Sequence, residues 1–305
     1  MGQKVLERRK NSDWELQVIP GTYYIDFDQE DEFRQSLSRR SQKAAGRRKK
    51  KKSRRIGRIL LGAGALYLLA VSLPAAGRIL ISKKTESERF LSRLESEAAG
   101  EAYPEELLEM LEKNEETYEF VSGYPNRADY MGKEIDLTAD YMDGKTPLLM
   151  QWDMRWGYDS YGQDMIAVAG CGPTCMTMAY LYLTGDLSMN PRRMAEYACE
   201  NGFCTEAGTS WEFFTAGAAE LGLSGSELPL GETQIKHALD QGNLVICSMR
   251  PGDFTTTGHF ILLRGYDEKG FYVNDPNSKK NSEKQWDYDR ISGQIKCLWS
   301  IGAEK

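Results

Sequence analysis

Gly170-Cys171-Gly172-Pro173-Thr174-Cys175-Met176-Thr177-Met178 opens the stretch on which the reading of this 305-residue chain turns. Apolar residues Met176, Met178, Ala179, Leu181 and Leu183 carry it on to Gly185. The segment therefore reads as a buried helix with Cys171 at its N-terminus. Gly172-Pro173-Thr174 suits a tight approach and a helix start. A thiol attacks only as thiolate, its ordinary pKa is about 8.5, and a helix N-terminus lowers that value. Cys175 lies one turn further in, where the dipole is weaker and burial is expected, so Cys171 is the better nucleophile.

Beyond this helix the pattern shifts from helices to strands. Asn190-Pro191 begins a helix by N-cap and first-turn proline. Thr209-Ser210-Trp211-Glu212 is a capping box, opening a helix that Gly222 ends. Residues 233–241 form another, closed by Gly242. Leu244-Val245-Ile246, Phe260-Ile261-Leu262-Leu263, Phe271-Tyr272-Val273 and residues 295–301 read as strands. Helices followed by an antiparallel sheet predict an α+β domain over residues 146–305.

The chain holds only two histidines. His237 sits beside Lys236 in a helical pattern and reads as a surface or packing residue. His259 heads a strand, after the flexible Thr255-Thr256-Thr257-Gly258, and Asp275 stands at the far end of the next strand. A hairpin turning at Asp267-Glu268-Lys269-Gly270 brings His259 and Asp275 opposite each other to within about two or three positions of register. Asn274 is the alternative partner; strand neighbours point to opposite faces, so only one of the two can serve, and the carboxylate is preferred. Gln151 lies upstream of Cys171, and its amide could join the Cys171 backbone N–H in an oxyanion hole, with Gln163 as the alternative donor. The set is then Cys171 as nucleophile, His259 as base, Asp275 as orienting carboxylate and Gln151 as oxyanion donor. Trp152, Arg155 and Trp156 read as packing with a stacked guanidinium, and Asp253, Phe254 and Asn277 as loop residues beside the cleft.

Charge divides the chain. Residues 1–84 carry 20 Lys/Arg against 8 Asp/Glu, whereas residues 85–305 carry 19 against 37. Between them, residues 59–77 are 19 residues without a charge, bracketed by Arg58 and Arg78, enough to cross the roughly 30 Å hydrocarbon core as a helix. The basic cluster from Arg47 to Arg58 precedes this span, and the positive-inside rule puts it in the cytoplasm. The expected organisation is a basic, largely disordered cytoplasmic tail (1–55), a single transmembrane helix (56–81), an acidic helical stalk and linker (82–145) and an extracytoplasmic globular domain (146–305). Anionic lipids are the expected partners of the basic cluster, and nucleic acid is not. The span is read as an anchor because its polar leader is far too long for a signal peptide. The stalk carries an apolar stripe at Phe90, Leu91 and Leu94, and Pro104-Glu105-Glu106 starts a second helix with Leu107, Leu108, Met110 and Leu111.

All six cysteines follow the apolar stretch; an even count fits an oxidising compartment without requiring disulfides, although Cys199 and Cys204 are close enough for a small loop disulfide. No spacing matches a paired zinc-knuckle pattern, and no metal or cofactor is expected.

Four ordered segments carry a family resemblance: LMQWDMRWGY at 149–158, GCGPTCMTM at 170–178, GDFTTTGHFILL at 252–263 and NDPNS at 274–278. Together they resemble the bacteriocin-processing-like cysteine peptidases in their stand-alone bacterial form, over residues 100–305. The resemblance implies a papain-like fold, a Cys171–His259–Asp275 triad with Gln151 at the oxyanion, and a Gram-positive cell surface. It does not carry over leader cleavage by an exporter, because the chain has no G-x-x-x-x-G-K-[ST] loop and a single apolar span. The expectation is a membrane-anchored, extracytoplasmic cysteine peptidase acting on peptides or proteins. A cell-wall amidase or endopeptidase using the same triad is the nearest alternative, and a non-catalytic surface binding module the third.

Overall fold

The computed structural model describes residues 85–97, 103–206 and 208–304, which belong to one unit, Ser82–Lys305. The expected cytoplasmic tail, basic cluster and membrane span lie outside the described residues, and among the described residues no helix is long and apolar enough to cross a membrane. Among the described residues, three α-helices come first: α1 (Glu86–Glu97), α2 (Glu105–Lys113) and α3 (Tyr118–Gly123). A small hairpin, β1 (Ser160–Tyr161) with β2 (Asp164–Met165), leads through the single turn α4 (Ile166–Ala169) into α5 (Cys171–Thr184). That helix stops at Gly185, whose φ of 70° is a left-handed conformation that other residues adopt only with strain. Next is α6 (Pro191–Glu200), where the Asn190 side chain accepts from the Arg193 N–H as the Asn-Pro pair foretells.

A second short hairpin follows, β3 (Cys204–Thr205) with β4 (Gly208–Thr209). Thr209 thus pairs with Cys204 and does not cap a helix. Ser210 is the cap, accepting from the Glu212 N–H, and it opens only a 3-10 turn, Trp211–Phe214, before the short α7 (Ala216–Glu220). The expected single helix is broken because Phe213 and Phe214 are both drawn fully into the core. The rest is β5 (Leu223–Glu227), α8 (Glu232–Asp240), β6 (Leu244–Met249), β7 (His259–Asp267), β8 (Gly270–Asn274), α9 (Lys279–Ser282), β9 (Gln285–Trp286), α10 (Tyr288–Ser292) and β10 (Ile295–Ala303).

Six strands form one antiparallel sheet in the order β5-β10-β6-β7-β8-β9. Both its faces are covered. Leu244, Ile246, Leu262 and Trp299 pack with Cys175, Met176, Met178 and Leu181 of α5. Val245, Cys247, Ile261 and Leu263 pack with Ile235 and Ala238 of α8 and Ile291 of α10. This is why β6 is buried at every position and reads as a continuous apolar run. The fold is mixed helix and sheet, as expected.

The segment expected to be a stalk and linker is part of the globular unit over residues 103–145. Leu107 and Leu111 of α2 and Phe120 and Val121 of α3 are fully buried together with Met150, Trp152, Tyr158 and Ala167. Phe120 stacks on Tyr158 at 4.2 Å, and the Tyr158 hydroxyl donates to the Phe120 carbonyl at 2.6 Å. Helices this short do not persist alone in water, so their apolar stripes must find a surface. The linker is pinned too: Leu137 is buried, and Arg155 pairs with Asp140 and Asp153, both at 2.7 Å, while stacking on Trp156 at 4.5 Å. All six cysteines are free. Cys199 and Cys204 do not form the disulfide their spacing allowed; burial first and the Cys199 thiol second push Cys204 up to about 12.

Candidate active site

Cys171 is the first residue of α5, half-buried, with Gly170 at the cap position. The turn is tied by Thr174, whose N–H and hydroxyl both donate to the Gly170 carbonyl, at 3.0 and 2.7 Å. Gly172 has a steric reason to be glycine. A Cβ there would lie 2.3 Å from Thr209 Oγ1, so the β3–β4 hairpin rests directly on the first turn of α5. The Tyr161 hydroxyl shares a 2.8 Å hydrogen bond with that same Thr209. The orphan N–H groups of this helix start make the Cys171 sulfur position favourable for negative charge.

His259 opens β7 and is buried, as is Asp275 just beyond the end of β8. The hairpin between these strands pairs Leu262 with Asn274 and Asp267 with Gly270, through a bulge between Leu263 and Gly265. His259 Nε2 lies 2.7 Å from Asp275 Oδ1. The Cys171 side chain also faces the imidazole and favours its protonated form. The thiol, imidazole and carboxylate thus form one connected line. Burial opposes protonation of His259, but the Asp275 charge and hydrogen bond outweigh it, with Cys171 adding to them, and the imidazole is raised to about 10. A protonated imidazole is the partner that a thiolate needs.

The other candidates are placed apart from this line. Cys175 is fully buried, with its thiol on the Phe260 carbonyl at 3.5 Å, and burial raises it well above its ordinary value. Asn274 turns away from His259: its amide donates to the Pro147 carbonyl at 2.8 Å, and its oxygen accepts from Arg264 Nε at 2.9 Å. His237 is exposed on α8. Gln163 is exposed in the β1–β2 turn. Gln151 is buried, its Nε2 donating to the Ala167 carbonyl at 2.7 Å and its Oε1 having no partner. The Gln151 backbone N–H donates to the Pro276 carbonyl at 2.8 Å, so the residue bridges the approach to Cys171 and the loop after Asp275. Asp253 pairs with Arg290 at 2.6 Å, and Phe254 packs on Trp286 at 4.3 Å, so both serve the loop.

Sequence reading missed the groups that hold the carboxylate. Asp275 Oδ1 also accepts from the Asn277 N–H at 2.9 Å, and Oδ2 accepts from Asn281 Nδ2 at 2.8 Å. The Asp275 N–H donates to Ser282 Oγ at 2.8 Å. One of these had a local signal: an Asp whose side chain bonds the N–H two residues on is the Asx turn that Asp-Pro-Asn favours. Asn281 and Ser282, on α9, had none.

Residues 144–301 match the Peptidase_C39 like family, and the chain belongs to it. The match contains Gln151, Cys171, His259 and Asp275 and begins after α1–α3. A crystal structure described as a candidate C39-like peptidase from Bacillus anthracis is similar at 16% identity, over 53% of this chain and 97% of that one, with a TM-score of 0.31. No curated protein is significantly similar to the chain.

Proposed function

We propose that the protein is a papain-like cysteine peptidase, anchored by one membrane span and active outside the cytoplasm. The observation that carries the chemistry is the line from Cys171 through His259 to Asp275, with its 2.7 Å carboxylate–imidazole contact. Cys171 Sγ, as thiolate, attacks a peptide carbonyl while His259 carries the proton. The oxyanion is met by the Cys171 backbone N–H and by Gln151, which has a second amide hydrogen beyond the one given to Ala167. The C–N bond then breaks, His259 protonates the leaving amine, and a thioester remains on Cys171. Water, deprotonated by His259, attacks that thioester, the C–S bond breaks, and the acid leaves with the thiolate restored. Asp275 keeps the imidazole oriented and its charge compensated throughout.

The localisation rests on the uncharged stretch 59–77 behind its basic cluster, and the peptide substrate class on the family. The test is alkylation of Cys171 by iodoacetamide in the full-length protein, read by mass spectrometry across pH, with His259→Ala alongside. Rapid labelling well below pH ~8.5 that is lost in the variant supports the thiolate–imidazolium pair. An ordinary thiol profile, identical in both proteins, removes the peptidase reading and leaves a binding module. Incubation with an unfolded protein and with purified peptidoglycan then separates peptidase from wall hydrolase by the fragments released.

A further inference from the structure

The loop that follows Asp275 is gripped from a part of the chain that lies outside the family match. The Asn277 carbonyl accepts from Asn114 Nδ2 at 2.6 Å and from the Trp152 indole N–H at 3.1 Å. The Glu116 carboxylate takes three donors from the next three residues: the Ser278 hydroxyl at 3.1 Å, the Lys279 N–H at 2.7 Å and the Lys280 N–H at 3.2 Å. Asn114 Oδ1 accepts from the Glu116 N–H at 3.0 Å, so the two gripping side chains are fixed to each other. The same short loop supports the carboxylate on its other side, through the Asn277 N–H and Asn281 Nδ2. Asn114 and Glu116 sit in the 3-10 turn between α2 and α3, which is seated by the buried Leu107, Leu111, Thr117 and Phe120.

A carboxylate that takes three donors from one loop, the nearest at 2.7 Å, ties that loop by charge-assisted bonds. Orientation of a catalytic partner is steep in distance: a misplacement of about 1 Å can cost on the order of a hundredfold in rate. We propose that Asn114 and Glu116 are positioning residues for Asp275, so that the helical segment preceding the family domain is a working part of the active site. The proposal rests on the Cys171–His259–Asp275 reading. His259 is faced by Asp275 and by the Cys171 thiol, and Asp275 by His259 and the buried Cys175. Releasing the loop lets the carboxylate drift from the imidazole and weakens the imidazolium that Cys171 faces, on which rapid labelling of Cys171 depends.

The experiment uses full-length protein, with the pH profile of Cys171 alkylation by iodoacetamide and a thermal melt for wild type, His259→Ala, Glu116→Ala, Glu116→Gln and Asn114→Ala. Glu116→Ala and Asn114→Ala should each move the labelling inflection up by about one pH unit, which is about tenfold slower labelling on its acid side. Glu116→Gln, which keeps one acceptor oxygen, should move it less in the same direction. If Glu116→Ala does not fold, the glutamine variant is judged in its place. Folded variants that keep the wild-type inflection overturn the proposal, even where their melting temperature falls, because that pattern is the mark of a purely structural tie. A wild-type profile identical to that of His259→Ala overturns the triad reading and the proposal with it, so the two failures are distinguished by the wild type itself.

Discussion

Cys171 and Cys175 are four residues apart on one helix and have opposite prospects. Cys175 is enclosed by the core, where a thiolate would be left without solvation, and its thiol is held neutral. Cys171 keeps partial exposure, a helix start and an imidazole. The same imidazole ties stability to pH. His259 is raised from about 6.5 to about 10, so the folded state holds its proton more tightly than the unfolded one. That contribution is fully present below about pH 6.5 and is lost as pH rises through about 10, with a slope of at most about 1.4 kcal/mol per pH unit for one proton. Thermal melts should therefore fall between pH 7 and pH 10, and Asp275→Asn should flatten that fall while lowering stability near neutrality. Parallel slopes in the two proteins would show that Asp275 does not control the proton.

At the scale of the element, the helix that starts at Cys171 is set by a short hairpin packed on its first turn. Thr209 of β4 fills the space where a Gly172 side chain would be, and it bonds Tyr161 on the other side. Gly172→Ala forces the hairpin or the first turn of α5 to move, at a cost of about 1–3 kcal/mol, and should slow Cys171 labelling at neutral pH. Gly172→Ala with Thr209→Ala removes Thr209 Oγ1, the atom nearest to the added methyl, together with Cγ2, and should recover part of the lost stability. Wild-type stability and labelling in Gly172→Ala would rule out the close approach. The hairpin was not legible because its two-residue strands are too short for any period to register. The β7–β8 hairpin was legible, since both strands are apolar runs around an Asp-Glu-Lys-Gly turn, and its register leaves His259 and Asp275 two positions from direct opposition.

For the whole molecule, the unit that holds Cys171, His259 and Asp275 begins well before the family match at residue 144. The apolar faces of α2 and α3 share a core with Met150 and Trp152, next to Gln151. Leu107→Ala should cost about 2–5 kcal/mol and lower the melting temperature of the entire unit in a single transition, by roughly 5–15 °C. An unchanged melt of the domain holding Cys171, with a separate early transition, would restore the picture of an independent stalk. The stalk reading failed for a physical reason: an acidic helix with a narrow apolar stripe looks alike in sequence whether the stripe meets a second chain or its own domain.

The sequence by itself determined the elements with a strong local cause: α5 from its glycine-bounded apolar run, the capped α6, the four long strands of the sheet and the turn that folds β7 onto β8. It also narrowed the candidates for the reactive groups, because two histidines and an ordered Cys, His and Asp leave few combinations. Tertiary structure alone decided what holds them. The Thr209 rest on Gly172 and the Glu116 grip on residues 278–280 join groups whose partners are as much as 164 residues apart. Periodicity and capping act within a turn or a strand pair. Contacts at such separation are fixed only when the apolar faces have packed, and the polar groups then pair with whatever that packing has brought within reach.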